Sequence, residues 1–370
     1  MRGLAGLFFA FVALLVVTGA SAAPPPVAGE QAALAALKHA VAAGRLTGAT
    51  AKADRAEIAR AVHLARVLPP TRRVRVEVAL EQIGALGKSL TKPRAVALFG
   101  QLKANDDYFA VHGPPRNGTD ITGVDGIVYR YFPGRCFEFH PLANVSTLNA
   151  RVAAKDVAGT ERLAAALAAR AVTRPGGGIV WEYYFPFGGR PPWVSGMAQA
   201  VAAQAFARAA SLLPDQSAVL LHEAAAAFRV VPGLTTNVAA GPWIRLYSFS
   251  NNPVLNAQLQ SVVSLQTYAQ ATNDSTAAAL AAKMQAAAAA TVSQFDTGYW
   301  TYYSLAGNPS PLSYQKFVVQ LLRKLAPSDP RFAQAADRFA AYLKQPPVFK
   351  LATAGPGSLR FWLSKPATVS

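Results

Sequence analysis

A single cysteine, Cys136, stands in 370 residues, so no disulfide can form within the chain and no thiolate cluster can hold a metal. The five histidines are scattered without the spacing of metal ligands. Gly176-Gly177-Gly178 lacks the Lys-Ser/Thr that would make it a phosphate loop and reads as a turn. Nothing here calls for a metal or a cofactor. Charge is sparse, at 15% of residues, and acid is scarcer than base: 19 Asp and Glu against 36 Lys and Arg. No Lys/Arg run is interleaved with aromatics, which argues against a nucleic-acid face. What the sequence has in plenty is apolar: 52% hydrophobic residues describe a chain that can bury a sizeable core, not a disordered one.

The net charge of +17 points to a polyanion as partner, such as acidic polysaccharide, cell-wall polymer or a membrane surface. The alternative is charge that only keeps the protein soluble. Residues 1–22, MRGLAGLFFAFVALLVVTGASA, read as a secretory signal. Arg2 supplies the positive start, an apolar run extends from Leu4 to Val17, and Ala20-Ser21-Ala22 offers a cleavage site. A membrane anchor is the rival reading, but the run falls short of the roughly 20 apolar residues that span a bilayer. No later segment is expected to cross a membrane. The mature chain is therefore expected to be secreted or held in the cell envelope or periplasm, off the membrane.

The chain divides by composition. Residues 23–104 read as helices broken near Gly44 and Gly48, at Pro69-Pro70 and at Pro93. Residues 105–148 alternate aromatic and β-branched residues between Gly, Pro and Asn turns, predicting a small β-rich segment. Helices return over 149–346, and 347–370 is left as a tail. Val194 to Leu213 carries a helical spacing that Pro214 stops. Asp215, Asn252-Pro253, Ser275, Pro311 and Asp329-Pro330 mark the starts of the next helices. Helices of similar length joined by aromatic loops predict a mostly α fold of stacked hairpins, an α/α toroid that is either incomplete or a six-hairpin barrel.

Four loop segments hold most of the chemistry: Tyr129-Arg130-Tyr131-Phe132-Pro133; Trp181 to Phe187 running on to Trp193-Val194-Ser195-Gly196-Met197-Ala198-Gln199; Trp243 to Tyr247 leading to Val254-Leu255-Asn256; and Phe295-Asp296-Thr297-Gly298 running on to Tyr303, with Tyr314 after it. In series, from about Tyr129 to Leu343, these resemble the C-terminal domain of the D-glucuronyl C5-epimerase family, which acts on heparosan-type polymers. The resemblance implies that Tyr247, Tyr303 and Tyr314 stand where the family has its catalytic tyrosines. Arg245-Leu246 replaces an acidic pair of that family, Ser304 replaces an aspartate, and Ser313 and Gln315 flank Tyr314 in place of Asp and His.

Inverting C5 of a uronate needs acid/base groups on both faces of the sugar and cations or donors on its carboxylate. Tyr247, Tyr303 and Tyr314 are the candidates for proton transfer. Arg190, Arg245 and Lys316 are the candidates for binding the carboxylate and lowering the phenol pKa. Trp193, Trp300 and Asn256 complete the proposed sugar site. Each has a plainer reading: Tyr302, Tyr303, Tyr314, Trp193 and Trp300 as packing, Arg245 as a partner of a surface acid, His140 and His222 as structural. Three functions stay open: an epimerase, a polysaccharide lyase sharing the first step, and a non-catalytic acidic-glycan binder. A glycoside hydrolase fits least, because Glu182 and Asp296 lack an obvious second carboxylate pair.

Overall fold

The computed structural model describes residues 26–366; the leader expected at 1–22 lies outside the described residues. Twelve α-helices are present among these residues, so the chain is mostly α. Helices α1 (Glu30–Ala42), α2 (Gly48–Val67), α3 (Pro70–Leu86) and α4 (Lys92–Phe109) pack on one another as an N-terminal bundle. The prolines that break the sequence pattern sit in the first turns of α3 and α4, where no intrahelical donor is lost.

The predicted β-rich segment is a three-stranded antiparallel sheet of β1 (Asp120–Thr122), β2 (Val128–Tyr131) and β3 (Phe137–Phe139). Its extent is narrower than expected. Helix α4 continues to Phe109, and α5 (Pro141–Ala153) begins directly after β3. His140 explains the early start: its Nδ1 accepts from Ala143 N at 3.1 Å, capping a helix whose first residue is proline.

From there the chain winds as hairpins. Helix α5 pairs with α6 (Val157–Ala168), α7 (Gly196–Leu212) with α8 (Ser217–Arg229), α9 (Leu255–Thr272) with α10 (Ser275–Thr291), and α11 (Leu312–Leu325) with α12 (Pro330–Lys344). The alternate helices also touch in order: α5 lies on α7, α7 on α9, and α9 on α11. Among the described residues α11 has no comparable contact with α5, so four inner helices form an open arc, backed by four outer ones. This is the incomplete form of the predicted toroid. Alanine lets the inner layer approach closely: Ala200, Ala203 and Ala207 of α7 are buried along with Val201 and Phe206.

Several boundaries depend on caps one residue from the expected ones. Asp274, not Ser275, accepts from Ala277 N at 2.9 Å and caps α10. Asp215 lies in a 3-10 turn before α8, and α9 starts at Leu255, after Pro253. The stretch Pro214–Leu234 is long and apolar enough by composition to cross a membrane, contrary to expectation. In the fold it is a 13-residue helix between two 3-10 turns, lying on α7. Such a helix is about 20 Å long, short of the roughly 30 Å hydrocarbon layer. Three two-stranded hairpins cross the loops: β4 (Val172–Thr173) with β5 (Ile179–Val180) about the Gly176–Gly178 turn, β6 (Thr235–Val238) with β7 (Gly241–Ile244), and β8 (Phe349–Gly355) with β9 (Ser358–Leu363) in the predicted tail.

Candidate active site

The inner helices begin around one aromatic cluster. Tyr183, just after β5, accepts from Leu142 N at the start of α5 with its hydroxyl, at 3.2 Å. Trp193, just before α7, stacks flat on Tyr183 at 4.0 Å and donates from Nε1 to Phe185 O at 2.7 Å. Tyr247, in the loop after β7, meets Trp193 edge-on at 5.5 Å. Tyr303 O accepts from Leu255 N, the first residue of α9, at 3.2 Å, and Tyr314, in the first turn of α11, packs on the Tyr303 ring at 5.4 Å.

Backbone contacts hold these loops together. Gly196, the first residue of α7, donates to Arg245 O at 3.0 Å. A Cβ there would lie 2.7 Å from that oxygen and 2.8 Å from Ile244 Cδ1, so only glycine lets the Tyr247 loop seat on the helix start. On the far side, Glu182 is fully buried between Arg94 of α4, which grips both its oxygens at 2.8 and 2.9 Å, and Arg174 at 2.8 Å. The N-terminal bundle thereby anchors the aromatic wall.

The space enclosed is a cavity of about 540 Å³, a volume typical of a small-ligand site. Tyr183, Tyr247, Tyr303, Tyr314, Trp193 and Asn256 line it, with Arg130, His140, Arg208 and Lys324. No Asp or Glu is among its lining residues. The N-termini of four helices face its aromatic end, adding positive partial charge. Asn256 Oδ1 is buried and unpartnered among the described residues, an acceptor with no protein donor.

Electrostatics differ from the sequence expectation. Burial pushes the Tyr303 and Tyr183 phenols far above the ordinary tyrosine value, and it raises Tyr247 less. A hydrogen bond between Tyr247 and Tyr303 lowers the first and raises the second, as it does when Tyr303 donates and Tyr247 accepts. Burial, with Arg130 adding to it, pulls His140 down to about 3. His140 is neutral at ordinary pH, and since Nδ1 accepts from the helix, its proton sits on Nε2. Arg130 forks onto Asp120 through Nε and Nη2 at 2.8 and 2.7 Å, which leaves Nη1 without a protein partner among the described residues.

Of the residues singled out in the sequence, Tyr247, Tyr303, Tyr314, Trp193 and Asn256 meet in this cavity. Tyr314 is 41% exposed at its rim and is not core. The other four lie elsewhere. Arg190 and Lys316 are exposed and outside the lining. Arg245 turns its guanidinium onto Ser248 O and Gly233 O, not onto an acid and not into the cavity. Trp300 is buried in a separate cleft, donating to Ser310 O at 2.7 Å. Closeness in sequence to an aromatic segment thus did not bring these three cations into the cavity. Arg130, His140 and Arg208 were missed as site residues. Two carried a signal. Arg130 alternates with buried Tyr129 and Tyr131 along a strand and so must face the other way. Met197, Val201, Gln204 and Arg208 share one helical face.

Fold and site define an α/α-hairpin protein with a basic, aromatic cavity at the starts of its inner helices. Residues 177–340 match the family described as D-glucuronyl C5-epimerase C-terminus, a carbohydrate-modifying family. The matched stretch runs from the turn before β5 into α12 and holds all three candidate tyrosines, whereas Arg130, His140 and α5 precede it. No curated protein matches the sequence. Among solved structures the chain is similar to an endo-beta-1,4-glucanase from Acetobacter xylinum, with 15% identity, 48% of this chain and 55% of that chain covered, and a TM-score of 0.37. It is similar to an endoglucanase from Komagataeibacter sucrofermentans, with 14% identity, 54% and 71% covered, and a TM-score of 0.39. A D-mannose isomerase gives 12% identity, 55% and 59% covered, and 0.39. The chain spans little more than half the length of the first of these.

Proposed function

We propose that this protein is an exported enzyme acting on a uronic-acid-containing polysaccharide, removing the C5 proton of a uronate and returning one to either face. The observation that carries the reading is the meeting of Tyr247, Tyr303 and Tyr314 in a cavity lined by cations and by no carboxylate. A site without a carboxylate pair favours proton transfer over glycoside hydrolysis. Glu182 is locked between two arginines, and Asp296 is held by Tyr342 at 2.7 Å and Arg338 at 2.8 Å, so neither is free for that role.

In this reading Arg130 Nη1 and the His140 Nε2–H hold the substrate carboxylate, stabilising the charge that spreads onto it as C5 loses its proton. Tyr247, favoured as phenolate by the hydrogen bond from Tyr303, takes the proton. Tyr303, kept protonated by burial, holds that bond from the same side of the ring. Tyr314, at the rim of the cavity, gives its own proton to the opposite face. Exchange with solvent at the rim removes the proton taken by Tyr247, returns one to Tyr314 and resets the pair. This replaces the expectation of phenols acidified by Arg190, Arg245 and Lys316.

The test is incubation of the mature protein in heavy water with a panel of uronate polymers. Deuterium gained at C5 without chain cleavage supports the reading. New ultraviolet absorbance from unsaturated ends identifies a lyase instead. Binding with neither signal identifies a glycan binder. Tyr247→Phe and Tyr303→Phe are each expected to slow exchange by about 10²-fold or more. Export is checked by sequencing the N-terminus of the secreted protein, with cleavage expected after Ala22.

A further inference from the structure

The cavity does not end at the tyrosines. Its wall on α7 continues through Gln204 to Arg208, and its wall on α11 continues from Tyr314 through Phe317 to Lys324. Each of the two cations stands about 18 Å along its helix from the first residue, Gly196 or Leu312. Lys324 lies about 15 Å beyond Tyr314. Between them α5 and α9 contribute an uncharged polar floor. Asn149 accepts from Arg208 Nη1 at 2.7 Å, Gln204 accepts from Ser264 at 2.9 Å, and Gln260 donates to Ser264 at 2.9 Å.

Neither cation is neutralised. Arg208 has Asn149 as its hydrogen-bond partner and no acid, and Lys324 has no hydrogen-bond or ion-pair partner, among the described residues. Arg208 is half-buried in the cavity wall and Lys324 is exposed at its edge, and two uncompensated cations along a concave, partly apolar wall raise the local potential for an anion more than the same charges on an open surface. Asn149 fixes one edge of the Arg208 guanidinium and leaves its other donors for a ligand.

We propose that Arg208 and Lys324 form a second anion subsite at the far end of the arc, which takes a carboxylate or sulfate several sugar rings from the ring held at the tyrosines. The inference rests on the reading of the tyrosine end as a uronate site. It adds that the substrate is bound lengthwise as an oligosaccharide with acidic groups at both ends of the cavity. Short uronates reach one subsite and longer ones reach both.

Calorimetric titration of the whole protein with uronate oligosaccharides of two and six rings tests this. In Arg208→Gln/Lys324→Gln the six-ring ligand is expected to lose at least tenfold more affinity than the two-ring ligand, with the melting temperature retained. Arg208→Lys, which keeps the charge, is expected to recover part of the loss. Equal losses at both lengths, or none, overturn the subsite. Inorganic sulfate separates this result from failure of the uronate reading. If no uronate binds, sulfate that binds the wild type and not the double variant still supports the subsite, and sulfate that binds neither, or both equally, overturns it.

Discussion

The Tyr247 and Tyr303 pair sets the expected pH behaviour of the reaction. Both phenols lie above the ordinary tyrosine value, so the phenolate form of Tyr247 is scarce at neutrality and grows with alkalinity. Exchange at C5 is expected to rise about tenfold per pH unit between about pH 7 and 9, measured as a rate against pH. A flat profile over that range would remove Tyr247 as the base.

A different residue governs stability. Asp106 of α4 is fully buried, and both carboxylate oxygens lack partners among the described residues. Burial raises it to about 8, with Glu57 and Asp107 adding to the shift and Arg60 and Lys103 opposing it. Because the folded value exceeds the unfolded one of about 4, the folded state holds the extra proton. This contribution is complete below about pH 4 and is lost as pH rises to about 8. Asp106→Asn is expected to be more stable than wild type at pH 8 by about 1–3 kcal/mol and to narrow the gap at pH 5, read from denaturant melts at both values. Glu138, buried and raised to about 7, slopes the same way and remains in the variant.

At the scale of elements, function depends on how loops seat on helix starts. Gly196→Ala places a Cβ against Arg245 O and Ile244, on the strand and loop that carry Tyr247. It is expected to cost about 1–3 kcal/mol and to lower exchange by more than that loss of folded protein accounts for. Activity per folded molecule, from melts and rates on one sample, checks this. Arg94→Met acts from the opposite side. It strips Glu182 of a bidentate partner in a buried site and leaves only Arg174. A loss of about 3 kcal/mol is expected, with local exposure of the Trp181–Phe185 loop detectable by amide exchange.

Over the whole molecule, the excess of base over acid works through the arc. On the proposed reading, a net charge of +17 would attract a polyanion from a distance and the carboxylate-free cavity would hold it. Polymer binding is expected to weaken steeply between about 0.05 and 0.3 M salt, since the Debye length falls to about 8 Å at 0.15 M. Two-ring ligands, with fewer charges, are expected to show a shallower dependence.

Much of this was legible in the residues. Helix periodicity with Pro, Asp and Asn at the breaks determines a mostly α chain, because apolar spacing and capping are local properties. Three tyrosines could be named because each lies in a short recognisable segment. Which cations join them could not be read that way. Arg190, Arg245 and Lys316 are near the aromatics along the chain, yet none of them lines the cavity, while Arg130 and Arg208 arrive from a strand and a helix that lie 173 and 95 residues from Tyr303. The sequence determined which elements form and the overall positive charge. Only the packing of α5, α7, α9 and α11 side by side decided which side chains share a cavity and which phenols are desolvated, because both depend on the surroundings of an atom and not on its neighbours in the chain.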